Sequence, residues 1–362
     1  MLNWVEINLK AIEHNIAKLK QKIGSAVKFG AVVKANAYGH GLVKVGQTAW
    51  NCGADYLMVA SLDEALTLRG NRIQCPILVM GYVDIDKLKL AADYDVTLSL
   101  YNVSYARGAS RYLARQNRSV KCHVKVDTGM NRMGEMEKEA VLLLRQAVTL
   151  SALKIEGIYS HLADASNSVY SQKQLVNFQN LLFQLQKEGI ERPTLVHFAN
   201  SAATLKLPTT YFDMVRCGIA IYGLAPDWQG QKAALSFKTK IMQVKQLSKD
   251  ALVGYGSTYK TKKPTKIAIL GVGYADGFAR DLSNLGEVLI EGKRCQVIGR
   301  VCMNQTIVLV PDDIFPQSGD EAVLIGRQGK DELTVFEIAE KLDTIPHEIV
   351  ARIPSSVPRV YK

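Results

Sequence analysis

The stretch Val27-Lys-Phe-Gly-Ala-Val-Val-Lys34 is almost continuously apolar and then breaks into the polar, Gly-containing segment Ala35-Asn-Ala-Tyr-Gly-His-Gly41. A continuous rather than alternating apolar run suits a strand covered on both faces, as in a parallel sheet. Seven further runs of this kind follow, at Tyr56–Ala60, Ile77–Met80, Val96–Leu100, Cys122–Val126, Ile155–Ser160, Thr194–Phe198 and Met214–Ile219. Helical patterns such as Leu42–Cys52, Lys138–Val148 and Gln172–Lys187 lie between them, and a strand at Val5–Leu9 with a helix at Ala11–Ile23 comes before. Eight strand–helix units is the repeat number of a closed (β/α)8 barrel, a TIM barrel. An open doubly wound sheet would want a GxGxxG turn after its first strand, and none is present.

The pattern changes near Ala225-Pro226. From Leu235 the chain reads as strands and turns: Phe237–Val244, Ile267–Leu270, Glu287–Ile290, Cys295–Ile298, Thr306–Val310 and Ala322–Ile325. Glu291-Gly292-Lys293 reads as a hairpin turn, and Val335–Leu342 as a helix. The expectation is an α/β barrel domain over 1–234 and a smaller, mainly β domain over 235–362.

Composition narrows the function. The 362 residues carry a formal charge of +11, but Lys and Arg are spread along the chain, with Lys260–Lys266 the longest cluster. A nucleic-acid binder concentrates them in a stripe, so no nucleic-acid partner is expected. Distributed positive charge does favour capture of small anions. There is no apolar run of membrane-span length and no signal-peptide pattern, which points to a cytoplasmic protein without a membrane partner. The six cysteines form no CxxC pair and no zinc-site spacing, so no metal is expected.

Barrel chemistry sits where strands end and loops begin on the C-terminal face. Those positions hold Lys34 with Tyr38, Lys125 with Arg132, His161, Asn200-Ser201, and Arg216 with Gly218-Ile219. Lys34 can be read as a lysine snorkelling from a strand end or as an amine desolvated enough to attack an aldehyde. Asn200-Ser201 is a helix N-cap pattern; after the seventh strand it also suits phosphate, with Gly218 letting backbone come close. Arg216 fits a surface ion pair equally well, and His161 a hydrogen-bonded structural histidine.

These residues sit in segments that resemble alanine racemases along nearly the whole chain. The segments are Ala31-Val-Val-Lys-Ala-Asn-Ala-Tyr-Gly-His-Gly41, Lys125-Val-Asp-Thr-Gly-Met-Asn-Arg-Met-Gly134, His197-Phe-Ala-Asn-Ser-Ala-Ala203 and Val215-Arg-Cys-Gly-Ile-Ala-Ile-Tyr-Gly-Leu224. Gly254-Tyr-Gly-Ser-Thr258, Gly273-Tyr-Ala-Asp-Gly277 and Gly299-Arg-Val-Cys-Met303 continue the series in the family's order. The resemblance implies a pyridoxal 5′-phosphate-dependent isomerase that interconverts L- and D-alanine and supplies D-alanine for peptidoglycan. It implies that Lys34 holds the cofactor as a Schiff base. Tyr38, Asn200, Ser201 and the backbone of Gly218 and Ile219 would serve the phosphate. Arg216 would face the pyridine nitrogen, with His161 beside it. Arg132 would meet the substrate carboxylate, oriented by Lys125 in a carbamylated form. Tyr255 and Met303 would come from the other subunit of a head-to-tail homodimer, with Tyr274 and Ser355 as supporting residues.

The chemistry rationalises that set. Racemisation removes a proton from one face of a planar α-carbon and returns it to the other, which two opposed groups, here Lys34 and Tyr255, do better than one. Arginine at the pyridine nitrogen cannot realistically release a proton, which favours racemisation over decarboxylation. The sequence departs from the common family pattern in three places. Asn131 stands where glycine is frequent, Asn304 where aspartate is usual, and Ser355 where the best-known members have a tyrosine that narrows the entrance. The last substitution suggests room for serine, so a broader alanine/serine racemase is the alternative, with a non-enzymatic pyridoxal-phosphate carrier further off.

Overall fold

The computed structural model describes Met1–Lys362, and its chain divides into two compact units. One comprises residues 12–37 and 42–232; the other comprises 1–11, 38–41 and 233–362.

The eight apolar runs become the strands Lys28–Val32, Tyr56–Val59, Ile77–Val79, Val96–Leu100, Val120–Lys125, Leu153–Tyr159, Leu195–His197 and Met214–Cys217. Each pairs in parallel with the next, and the last pairs with the first, so the sheet closes into a barrel. Two-sided coverage is why the runs are continuous: Leu57, Leu78, Val124 and Val196 are all fully buried. Several helices begin on side-chain caps at the strand ends. Ser61, Asn102 and Asn167 each accept the N–H three residues on.

The other unit is organised by the long strand Leu235–Leu247. It pairs antiparallel with Asn3–Ile7, Thr265–Leu270 and Glu321–Gln328. The hairpin turn falls at Glu291 and Gly292, with φ of 50° and 73°, the left-handed pair that matches strand twist. In the Lys260–Lys266 cluster two of the four lysines have carboxylate partners, Lys260 with Asp250 and Lys263 with Asp312, and Lys266 bonds the Ile314 carbonyl. No helix is long and apolar enough to cross a membrane.

Two segments group differently from a simple break near residue 234. The opening strand spans Asn3–Ile7, not Val5–Leu9. It lies in the second unit's sheet, between Leu235–Leu247 and the parallel strand Arg359–Tyr361. Tyr38–Gly41 also belongs to that unit. Its packing there is tight. A Cβ on Gly39 would meet the Val350 carbonyl oxygen at 2.2 Å, and one on Gly41 the Tyr361 hydroxyl at 1.9 Å.

Ile7 is fully buried in that sheet. Ile7→Ala is expected to cost about 2–5 kcal/mol, read as a lower urea midpoint, although the residue precedes the barrel.

Candidate active site

The first barrel strand delivers Lys34 at its carboxyl end, and the backbone then turns against its usual hand. Ala35, Asn36, Ala37 and Tyr38 have φ of 52–53°, a single turn of left-handed helix without one glycine. Each such residue costs about 1–2 kcal/mol, so the turn persists only because other groups hold it. The Ala37 N–H donates to the Val33 carbonyl (2.8 Å), the Leu42 N–H to Asn36 Oδ1 (2.9 Å), and the Asn36 N–H to Glu64 Oε1 (3.1 Å). Glu64 was not among the residues expected from sequence. Ser61-Leu-Asp-Glu64 carries the S-x-x-E capping signature, and Ser61 does cap the helix Leu62–Gly70. The carboxylate, however, reaches the N–H groups of Ala60 and Asn36.

Lys34 makes no ion pair or hydrogen bond. Burial first, and then the charge of Arg132, hold its amine below the ordinary lysine pKa; Glu64 opposes them. Arg132 is exposed and its guanidinium has no carboxylate partner. It ends a loop tied together by Asp127, whose carboxylate accepts N–H bonds from Gly129, Asn131 and Arg132. Burial works to raise the Asp127 pKa, but those bonds outweigh it and the net shift is downward. Asn131 has φ of 55°. Asn tolerates that conformation better than most residues, which explains how it replaces glycine.

Arg216 is buried, with no carboxylate against it. Its guanidinium donates to His197 Nδ1 (3.0 Å), His161 Nδ1 (3.2 Å) and the carbonyls of Ser160 (2.7 Å) and Phe198 (3.0 Å). Burial lowers its pKa to about 10, still well above neutrality. Because arginine only donates, both histidines must accept at Nδ1 and carry their protons on Nε2. His197 Nε2 then donates to His123 Nδ1 (2.8 Å), leaving the His123 Nε2–H facing Glu156, 3.6 Å away. Gly157 makes room for this, since a Cβ there would fall 2.6 Å from the His123 ring. Burial, then Arg216, hold His161 and His197 well below the usual histidine range.

Lys125 is buried at the end of the fifth barrel strand. It donates to the Val126 carbonyl (2.8 Å), and its pKa is lowered to about 7 by burial and then by Arg216. Lys34, Lys125, Arg132, His161 and Arg216 are thus coupled at one mouth of the barrel. Across that mouth, Asn200 caps the helix Ser201–Lys206 by accepting the Ala203 N–H. Ser201 Oγ takes the Gly218 N–H (2.8 Å) and the Ala220 N–H (3.4 Å). With the Ala203 and Ala220 N–H groups taken by Asn200 and Ser201, those of Ser201, Ala202 and Ile219 remain at the two starts, a donor set that suits a phosphate.

The remaining expected residues lie in the second unit. Tyr38 is packed near the His347 ring, and burial raises its hydroxyl pKa to about 12. The loop bearing the exposed Ser355 is held by Arg359, which donates to the carbonyls of Ile353, Pro354, Val357 and Gly39. Tyr255, Tyr274 and Met303 are 72%, 42% and 56% exposed. They sit on joined turns: Tyr274 and Ala275 donate to the carbonyls of Cys302 and Met303, and the Gly256 turn packs on Arg300. Asn304 Nδ2 donates to Asp276 (3.3 Å), a bond that aspartate could not make.

Family models match both parts of the chain: "Alanine racemase, N-terminal domain" over residues 7–226 and "Alanine racemase, C-terminal domain" over 234–361. The chain belongs to the alanine racemase family. It is 43% identical to the alanine racemase of Symbiobacterium thermophilum and 41% to alanine racemase 2 of Caldanaerobacter subterraneus subsp. tengcongensis, over 99% of this chain and 96% and 94% of theirs. Alanine racemase from Bacillus anthracis with bound L-Ala-P superposes with a TM-score of 0.94 at 39% identity, covering 100% of this chain and 95% of that one. The Bartonella henselae alanine racemase with covalently bound pyridoxal phosphate gives 0.89 at 31% identity, each chain covered in full. The activity is therefore interconversion of L- and D-alanine, with pyridoxal phosphate as cofactor.

The Lys125 pKa sets a pH dependence. An amine with a folded pKa near 7 and an unfolded value near 10.5 opposes folding below 7, and the penalty fades as pH rises through that interval. In carbon-dioxide-free buffer, Lys125→Met should raise the urea midpoint more at pH 6 than at pH 10.

Proposed function

We propose that this alanine racemase works through Lys34 and a Tyr255 supplied by a second copy, acting as acid and base on opposite faces of the substrate α-carbon. The observation that carries the reading is the set of groups at the barrel mouth: the guanidiniums of Arg216 and Arg132, the Lys34 and Lys125 amines of lowered pKa, and the neutral His161 and His197, with no carboxylate on buried Arg216. This set fits pyridoxal phosphate: Arg216 offers donors to a ring nitrogen without a competing anion, and the paired helix starts offer N–H groups to the phosphate. When bound, that group supplies an aldehyde for the amino nitrogen and an electron-withdrawing ring that acidifies the α-C–H bond.

The rest is the work of this chain's side chains. Lys34 Nζ, held below its ordinary pKa by burial and Arg132, is suited to take a proton at one face and return it. The Arg132 guanidinium has no protein partner and can pair with the substrate carboxylate. Lys125 is neutral for a large fraction of the time near pH 7, the form that can take up carbon dioxide, and the resulting carbamate would orient Arg132. Ser201 Oγ, fixed by the Gly218 and Ala220 N–H groups, and Tyr38, which stays protonated, would donate to the phosphate. The exposure of Tyr255, Tyr274, Met303 and Leu252 supports a homodimer in which these turns are covered and lent to the other copy. A cytoplasmic enzyme supplying D-alanine for peptidoglycan is the setting that follows.

Lys34→Ala should lose both the visible cofactor absorbance and racemisation. Tyr255→Phe should keep the absorbance and lose most of the rate. Mixing the two inactive variants under conditions that exchange subunits should restore activity; no recovery would refute the shared site. Ser355 supports a second reading, that of a broader alanine/serine racemase. Ser355→Tyr should then lower kcat/KM for serine more than for alanine; equal effects would remove that reading.

A further inference from the structure

The turn that follows Lys34 is left-handed through four non-glycine residues, and the one side chain that ties it to the neighbouring barrel strand is Glu64. Its two carboxylate oxygens do different jobs. Oε2 takes the Ala60 N–H (2.9 Å), at the end of the second barrel strand, and Oε1 takes the Asn36 N–H (3.1 Å), two residues beyond Lys34. Hydrogen bonds to an ionised acceptor are the stronger kind, and here they bridge two adjacent strand ends. Had Glu64 served only its own helix, its carboxylate would have turned to the N-cap N–H of Ser61. It reaches outward instead.

We propose that Glu64 is a positioning residue for the reaction: its carboxylate clasps the left-handed turn that aims Lys34 and places a negative charge on the backbone two residues beyond it. The second half rests on the reading of Lys34 as the cofactor-bearing base; the clasp itself does not.

The surroundings make that charge matter. Arg132 and Lys34 itself lie near His161, and Arg216 and Lys125 add their fields there. Among all the groups acting on Lys34, burial and Arg132 depress its basicity and Glu64 alone sustains it. A charge of this kind does more than hold backbone. It helps to set the pH at which the Lys34 nitrogen gains or loses a proton, which a neutral clasp would leave unchanged.

Two substitutions separate the roles, each made in the cofactor-loaded enzyme. Glu64→Gln keeps one acceptor and removes the charge. The pH midpoint of the visible cofactor band should fall by about one unit, with kcat reduced more than KM rises. Glu64→Ala removes both bonds, so residue-resolved hydrogen exchange should show the Asn36 and Ala60 amides exchanging about tenfold faster or more, with distant barrel amides unchanged. An unmoved band titration in Glu64→Gln would overturn the electrostatic role. Unchanged exchange at Asn36 in Glu64→Ala would overturn the clasp, and should that variant fail to fold, exchange in Glu64→Gln at whichever amide loses its acceptor decides the same point. Lys34→Ala measured alongside separates the two readings. If its visible band persists, the assignment of Lys34 falls, while the exchange result at Asn36 still decides the clasp.

Discussion

A guanidinium buried without a counter-ion governs the barrel mouth. Arg216 is stabilised by carbonyl dipoles and imidazole lone pairs rather than by a carboxylate, so its charge is not cancelled locally. Everything nearby responds. Burial first, and then this charge, hold His161 and His197 neutral and lower the Lys125 pKa, and its donors fix the histidine tautomers through His123. A buried cation of this kind is costly unless its donors are fully used. Its persistence argues that the uncompensated field is what the site needs, because that field favours an anionic ligand and keeps nearby amines unprotonated and so able to accept a proton.

The barrel was legible because two-sided burial writes itself into a sequence as continuous apolar runs. All eight strands fall on such runs. The residues at their carboxyl ends were also legible, since one rule of barrel anatomy selects Lys34, Lys125, His161 and Arg216, and their motifs name the family. The Asn200 cap was readable for the same local reason: its signal lies within four residues.

What escaped is long-range. Nothing local in Asn3–Ile7 says that its neighbours are Leu235–Leu247 and Arg359–Tyr361, because a strand's pattern encodes burial and not partners. The motif Ala31–Gly41 reads as one unit, yet Lys34 and Tyr38 fall in different ones, since the glycines at 39 and 41 permit a close backbone approach that no periodicity records. Glu64 was hidden behind an ordinary capping signature. The His123–His197 chain was masked by the apolar runs around it, where a histidine looks like any buried polar residue.

The pairing of Asn3–Ile7 bears on how the chain is made. This strand leaves the ribosome before the barrel, but its antiparallel neighbour is translated only after the whole barrel, and its parallel neighbour later still. Meanwhile it presents an open edge, of the sort that invites wrong pairing. Its alternation of half-buried and buried residues, with Glu6 on one side, keeps that edge partly polar while it waits. The barrel can therefore mature during synthesis, whereas the second unit closes only after Arg359–Tyr361 has emerged.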